Sequence, residues 1–209
     1  MLLGIDEAGR GPVLGPLVMA GVLVEDEKPL AELGVKDSKL LLPKKRQEFY
    51  QKIIKIVKNY KIIITPPEQI DAALNSSNLN LNWLEANTAA EIINELNPKK
   101  AIIDCPSNNI QAFHDYLKTK VTTETELIAE HKADVNHPSV AAASILAKVT
   151  RDNEIEKLKQ KIKIDFGSGY MTDERTVDFL KKHYQTHSEI FRKTWASYKK
   201  VFQKDLTQF

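Results

Sequence analysis

Leu2-Leu3-Gly4-Ile5-Asp6-Glu7-Ala8-Gly9-Arg10-Gly11-Pro12 is the stretch on which the reading of the whole chain depends. A short apolar run leads into two adjacent carboxylates, and a Gly-Arg-Gly turn follows directly. The apolar start reads as a buried strand. Neighbouring side chains on a strand point to opposite faces, so Asp6 and Glu7 cannot both enter one core. Two buried like charges repel unless something positive lies between or beside them. Taken alone, the pair reads as a strand running out into solvent. The residues that follow change this reading. Gly9, Gly11 and Pro12 make a tight turn that lets backbone N–H groups approach a partner closely. Arg10 adds a fork of donors suited to phosphate. The chain then returns as an antiparallel strand, Pro16-Leu17-Val18-Met19-Ala20-Gly21-Val22-Leu23-Val24. Carboxylates for a divalent cation and backbone donors for a phosphodiester thus share one hairpin.

Composition sets the bounds. At 209 residues, with 42% hydrophobic and 28% charged residues, the chain can bury a sizeable core as a soluble globular protein. No apolar run approaches the length of a membrane span, and Met1-Leu2-Leu3-Gly4 does not read as a signal peptide. The single cysteine, Cys105, excludes an internal disulfide and fits a reducing, cytoplasmic setting. A formal net charge of +2 does not by itself predict nucleic-acid binding; a local concentration of Lys and Arg would be needed.

Further along, Gly34-Val35-Lys36-Asp37-Ser38-Lys39-Leu40-Leu41 reads as a polar loop before a helix that opens at Pro43. Phe49, Ile53, Ile56, Val57 and Tyr60 give this helix an apolar face. Lys61-Ile62-Ile63-Ile64 is expected to be a second buried strand, and residues 81–96 a helix. Lys100-Ala101-Ile102-Ile103-Asp104-Cys105-Pro106 repeats the opening pattern, a buried strand that ends in a carboxylate. Residues 126–134 repeat it once more and end at Asp134. Pro138 opens a helix that is apolar nearly all round as far as Val149, with Lys148, Arg151 and Lys157 as its polar edge. A glycine-punctuated loop carries Tyr170, and helical patterns follow at 173–184 and 188–202. This organisation divides into an α/β body, residues 1–163, and a helical cap and tail, residues 164–209. His183 and His187 have a spacing able to hold zinc, but with no third ligand nearby they read as surface histidines.

Asp6, Glu7, Asp104 and Asp134 therefore come from three strand ends, with no catalytic cysteine and no Ser-His-Asp pattern beside them. Hard oxygen ligands of this kind suit Mg²⁺ or Mn²⁺. Two such ions about 3.5–4 Å apart can clamp the attacking and leaving oxygens of a phosphodiester.

The stretch Gly4-Ile5-Asp6-Glu7-Ala8-Gly9-Arg10-Gly11-Pro12-Val13-Leu14-Gly15-Pro16 closely resembles the signature of type 2 ribonuclease H, ribonuclease HII. The resemblance extends through Asp37-Ser38-Lys39-Leu40, Ile103-Asp104, residues 130–134, residues 142–152 and Gly167-Ser168-Gly169-Tyr170. Met171 occupies a position often taken by Pro in relatives. The resemblance implies a ribonuclease H-like mixed sheet flanked by helices, with a C-terminal helical cap. It implies endonucleolytic cleavage of RNA in RNA–DNA hybrids and at single ribonucleotides embedded in duplex DNA, leaving 3′-hydroxyl and 5′-phosphate ends. Asp6, Glu7, Asp104 and Asp134 would hold two Mg²⁺ or Mn²⁺ ions, with Asp6 bridging them. Gly9, Arg10 and Gly11 would read the 2′-hydroxyl, Lys39 would contact the substrate backbone, and Tyr170 would lie against a deoxyribose.

A junction resolvase of the same general fold would also use four acids, but has no need of the Gly-Arg-Gly turn. A non-enzymatic nucleic-acid-binding module would have no use for acids that repel phosphate. At the C-terminus, Gln203, Leu206 and Phe209 are spaced like the peptide by which proteins dock on the replication sliding clamp. The rival reading is that Leu206 and Phe209 fold back onto the helical cap. The chain is expected to be a monomer.

Overall fold

Alternation along the first strand decides what packs on each face of the sheet. The computed structural model describes residues 1–35 and 42–206, with side chains described as far as Gln203; Lys39 and Phe209 lie outside the described residues. Its strands are β1 (Leu2–Ala8), β2 (Leu17–Val24), β3 (Asn59–Thr65), β4 (Lys100–Asp104) and β5 (Glu126–Glu130). They form one mixed sheet in the order β3-β2-β1-β4-β5, with β1 antiparallel to β2 and parallel to β4, and β4 parallel to β5. The helices are α1 (Lys28–Leu33), α2 (Pro43–Ile56), α3 (Pro67–Asn75), α4 (Leu81–Leu96), α5 (Ile110–Lys118), α6 (Ala133–Asn136), α7 (Pro138–Ile162), α8 (Glu174–His183) and α9 (Ala196–Leu206).

The chain forms two compact units. One comprises Met1–Ala8, Val18–Ile63 and Asn82–Thr150; the other comprises Gly9–Leu17, Ile64–Leu81 and Arg151–Phe209. In the first unit, Leu3, Ile5, Met19, Leu23, Ala101 and Ile103 share one face of the sheet with Ala86, Ala89, Ile92 and Ile93 of α4 and Phe113 of α5. The opposite face places Val18, Ala20, Val22 and Val24 against Phe49 and Ile53 of α2 and the apolar start of α7. With both faces covered, β2 is buried along its whole length, which explains its unbroken apolar sequence. Gly4 lets α7 approach β1: a Cβ at this position would lie 2.3 Å from the Ser139 carbonyl carbon and 2.4 Å from the Val140 nitrogen. The first turn of α7 has an orphan donor satisfied from afar, because the Ser139 N–H donates to Glu27 Oε1 at 2.8 Å.

In the second unit, Val13, Leu14, Ile155, Phe166, Phe179, Leu180, Phe191 and Tyr198 form a separate core. Asp173 caps α8 by accepting the Arg175 N–H at 3.1 Å.

Several expectations are corrected. Phe49 and Ile53 are the buried residues of α2, with Tyr50, Ile54 and Val57 packing part-buried against the same core; the helix stops at Ile56, which is exposed, and Tyr60 belongs to β3. The run Lys61-Ile62-Ile63-Ile64 is an edge strand with Ile64 exposed, because a sheet edge leaves one side of the strand uncovered. The helix expected over 188–202 is a single 3₁₀ turn, Ser188–Ile190, followed by α9. Arg151 is not part of a polar edge but is buried. Among the described residues, no helix is long and apolar enough to cross a membrane.

Candidate active site

The register of β1 on β4 pairs Leu2 with Lys100 through to Ile5 with Ile103, so Asp6 and Asp104 emerge side by side one residue later. Both lie on the face that carries Gly4 and Ile102, against the start of α7. Asp134 arrives by a different route from the one its sequence suggests. It is not at the end of β5, which stops at Glu130, but in the short helix α6. The chain reaches α6 through Lys132, held in the left-handed region at φ 59°. The Ala133 N–H then donates to Asp104 Oδ1 at 3.2 Å, which ties α6 to the end of β4.

One carboxylate oxygen from each of Asp6, Asp104 and Asp134 lies within 4.8 Å of the other two. Asp6 and Asp134 are only 5% and 3% exposed, so water does little to screen this concentration of negative charge. The effect is visible on Asp6, whose pKa is pushed up to about 7. Burial is the main cause, and the charges of Asp104 and Asp134 push the same way. Hydrogen bonds from the Ser144 side chain and from the Glu7 N–H, the latter at 2.7 Å, hold it back. Such a buried set of hard oxygen donors fits Mg²⁺ or Mn²⁺, whose charge would relieve the repulsion.

Glu7 stands outside that compact group. Strand alternation sends it to the opposite face, with Leu3 and Ile5. There, burial raises the Cys105 thiol pKa, and the charges of Asp104, Glu7 and Glu85 push it further in the same direction. Glu85 is a fully buried carboxylate on α4 that the sequence reading passed over. Its signal was present, as the acid within the buried run of α4 that includes Ala86, Ala89 and Ile92.

In the second unit, the Gly-Arg-Gly turn is built as close backbone approach requires. Gly9 has φ 84°, and a Cβ there would lie 2.6 Å from the Pro16 carbonyl oxygen and 2.7 Å from Arg151 Nε. At Gly11 a Cβ would lie 3.7 Å from Tyr170 Cε1, so the turn and the tyrosine are neighbours. Tyr170 is half-buried, with the Arg151 guanidinium 5.0 Å from its ring centroid. Arg151 donates to the Ser168 carbonyl at 2.8 Å, which pins the loop that carries the tyrosine. The structure therefore gathers Gly9, Gly11 and Tyr170 in one unit, and Asp6, Asp104 and Asp134 in the other.

His183 and His187 are not two ligands on one helix. His183 ends α8, His187 lies beyond it, and both rings stack on Phe179. Gln203 lies on α9, which extends to Leu206.

Comparison with known proteins finds relatives along nearly the whole chain. The profile of the family described as Ribonuclease HII matches residues 3–198. The ribonuclease HII of Pyrococcus abyssi is 42% identical over 208 residues, covering 96% of this chain and 91% of its own length. The crystal structure of the ribonuclease H2 from Pyrococcus horikoshii superposes with a TM-score of 0.87 at 40% identity, with 97% of each chain covered. A structure of the PCNA:RNase HII complex from Archaeoglobus fulgidus matches with a TM-score of 0.86 at 42% identity, with both chains covered in full.

Proposed function

We propose, from the premise that the chain belongs to the ribonuclease HII family, that it is a metal-dependent endoribonuclease that cuts the RNA strand of RNA–DNA hybrids and single ribonucleotides embedded in duplex DNA. The observation that carries the mechanism is the convergence of Asp6 and Asp104, from the adjacent strands β1 and β4, with Asp134 of α6. These three, together with Glu7, are the residues that would hold two Mg²⁺ or Mn²⁺ ions. When bound, such ions supply the Lewis acidity that activates water and steadies the leaving oxygen.

The chain's own residues do the rest. Burial and the charges of Asp104 and Asp134 raise the pKa of Asp6 to about 7, and a bound cation would favour its ionised form. Ser144 and the Glu7 N–H fix the orientation of the Asp6 carboxylate through their hydrogen bonds. The turn at Gly9, Arg10 and Gly11 offers backbone donors to the ribose 2′-hydroxyl, the group that distinguishes RNA from DNA. Only Ala8 separates Glu7 from Gly9 in the chain, so the turn follows the acids by covalent connection. Tyr170 lies against the neighbouring deoxyribose, and Lys39 supplies a backbone contact. The products are a 3′-hydroxyl and a 5′-phosphate.

A partner belongs to the same proposal. Gln203, Leu206 and Phe209 form a docking element for the replication sliding clamp, a reading supported by the Archaeoglobus fulgidus complex. The decisive experiment for the activity is cleavage of a labelled duplex containing one ribonucleotide, with Mg²⁺ or Mn²⁺ and with a chelator. Cleavage that needs metal and disappears in Asp6→Asn supports the proposal. No cleavage with either metal, or full cleavage by Asp6→Asn, overturns it.

A further inference from the structure

We infer that Arg192 is the positioning residue of the 9–15 turn, holding its carbonyl oxygens on one side so that the N–H groups of Arg10 and Gly11 face a ligand on the other. The inference rests on the ribonuclease reading for the identity of that ligand, a ribose 2′-hydroxyl, and on the turn's own geometry for everything else.

Arg192 has no exposed surface and is among the largest fully buried side chains. Its guanidinium donates from Nε to the Gly15 carbonyl at 3.0 Å, from Nη1 to the Arg10 carbonyl at 3.0 Å and from Nη2 to the Gly9 carbonyl at 2.6 Å. The Arg192 N–H donates to the Val13 carbonyl at 2.8 Å, and Trp195 Nε1 donates to the Gly11 carbonyl at 3.2 Å. Residues 192–195 thus bind the carbonyls of Gly9, Arg10, Gly11, Val13 and Gly15. The donor segment is itself held. Asp71 of α3 accepts the N–H groups of Lys193 and Thr194 at 2.7 and 3.0 Å and the Thr194 hydroxyl at 2.5 Å, and the Arg192 guanidinium stacks 4.8 Å from the Trp195 ring centroid.

Peptide planarity turns this into a statement about the opposite side. In a trans peptide the C=O of one residue and the N–H of the next point in opposite directions. Carbonyls of Gly9 and Arg10 directed at the guanidinium therefore direct the N–H groups of Arg10 and Gly11 away from it. Pro12 has no N–H, so the donor face ends at those two groups. A charge-assisted bond to each carbonyl also polarises the peptide and strengthens its N–H as a donor. A lysine cannot reproduce this arrangement, because its single ammonium lacks the planar fork that serves three carbonyls.

The test uses the full chain with Arg192→Lys and the milder Trp195→Phe, which removes one donor and keeps a ring. Amide NMR of ¹⁵N-labelled protein reads the turn directly, and Mn²⁺ titration reads the acids separately. Both variants should shift the Arg10 and Gly11 amide signals and leave Mn²⁺ affinity within twofold. KM for a duplex with one ribonucleotide should rise about tenfold in Arg192→Lys, the loss of roughly one net hydrogen bond to the ribose, with a smaller change in kcat. Unchanged Arg10 and Gly11 amides in folded Trp195→Phe and Arg192→Lys overturn the inference, as does a loss confined to kcat. A wild-type protein that cuts no duplex overturns the ribonuclease reading instead, while the amide shifts still decide whether Arg192 sets the turn.

Discussion

Asp104 Oδ1 accepts the N–H of Ala133, at 3.2 Å, and this bond links the strand that supplies one acid to the helix that supplies another. Asp134 follows Ala133 directly, so its carboxylate is placed by a neighbour that is anchored on Asp104. Removing the acceptor should therefore act at two positions. Asp104→Ala should weaken divalent-cation binding more than Asp134→Ala, because it loses one ligand and releases the segment that carries the other. Calorimetric titration with Mn²⁺ checks this; equal weakening by the two variants would show that α6 holds its place without the bond.

The raised pKa of Asp6 makes stability depend on pH. In the unfolded chain an aspartate titrates near 3.8, whereas folded Asp6 does so near 7. Between these values the folded state binds more protons than the unfolded one, so stability falls as pH rises from about 4 through about 7. Asp6→Asn removes that dependence. In chelator, its melting temperature relative to wild type should rise between pH 5 and pH 8, and added Mg²⁺ should stabilise the wild type but not the variant. Thermal melts across this range settle the matter: a variant less stable than wild type by the same margin at every pH would mean that Asp6 is not a strained acid.

Some of this was readable from the chain and some was not, for local reasons. Asp6 and Asp104 each end an apolar run short enough to be a strand, and strand alternation then separates Glu7 from Asp6. Asp134 was found as a residue but misplaced, because a single left-handed residue and a four-residue helix leave no periodic trace. Arg151 looked like part of a polar edge with Lys148 and Lys157. What buries it comes from elsewhere in the chain, at Gly9, Gly169 and Tyr170. Arg192 was missed for the same reason, since its partners lie more than 170 residues away.

Gly4 tests how tightly α7 must sit on the sheet. A Cβ there meets backbone rather than a movable side-chain end, so Gly4→Ala should cost about 3 kcal/mol and reduce activity by displacing the start of α7. Gly34→Ala is the control. Its Cβ meets nothing within 4 Å, and only its φ of 78° is unfavourable for alanine, a cost of about 1 kcal/mol with no effect on cleavage. Denaturant unfolding of the two variants measures the contrast, and a loss at position 4 no larger than at position 34 would show that the start of α7 shifts away from β1 at little cost.

Tyr170 presents a ring that rests on the Arg151 guanidinium beside the Gly-Arg-Gly turn. Tyr170→Ala should lower cleavage of a duplex with one embedded ribonucleotide about tenfold, the scale of one lost stacking contact. Tyr170→Phe keeps the ring and should retain most of the activity. A substrate with ribose on both sides of the cut should depend less on this residue. Steady-state rates on the two substrates decide between recognition and packing, since equal losses on both would assign Tyr170 a general structural role.

The docking element proposed at the C-terminus can be tested apart from catalysis. Gln203 and Leu206 are three apart in the sequence, and Phe209 stands three residues further on. An apolar pair behind a polar anchor is suited to dock as a helix in a groove. The cut must be chosen with the second unit's core in mind. Val201 packs against that core, and the Phe202 ring centroid lies 6.3 Å from that of Tyr184, so ending the chain at Lys200 would disturb packing as well as docking. A variant ending at Gln203 removes Leu206 and Phe209 and spares both contacts. Titrated against the matching clamp, the full chain should bind and this variant should lose at least about tenfold in affinity, as expected when two buried apolar anchors are removed. Without clamp, its cleavage rate should equal that of the full chain, since none of the proposed metal-binding or ribose-reading residues lies beyond Gln203. Equal clamp binding by both proteins would assign the interaction to another surface, and slower cleavage without clamp would make the tail part of the enzyme's own substrate contact.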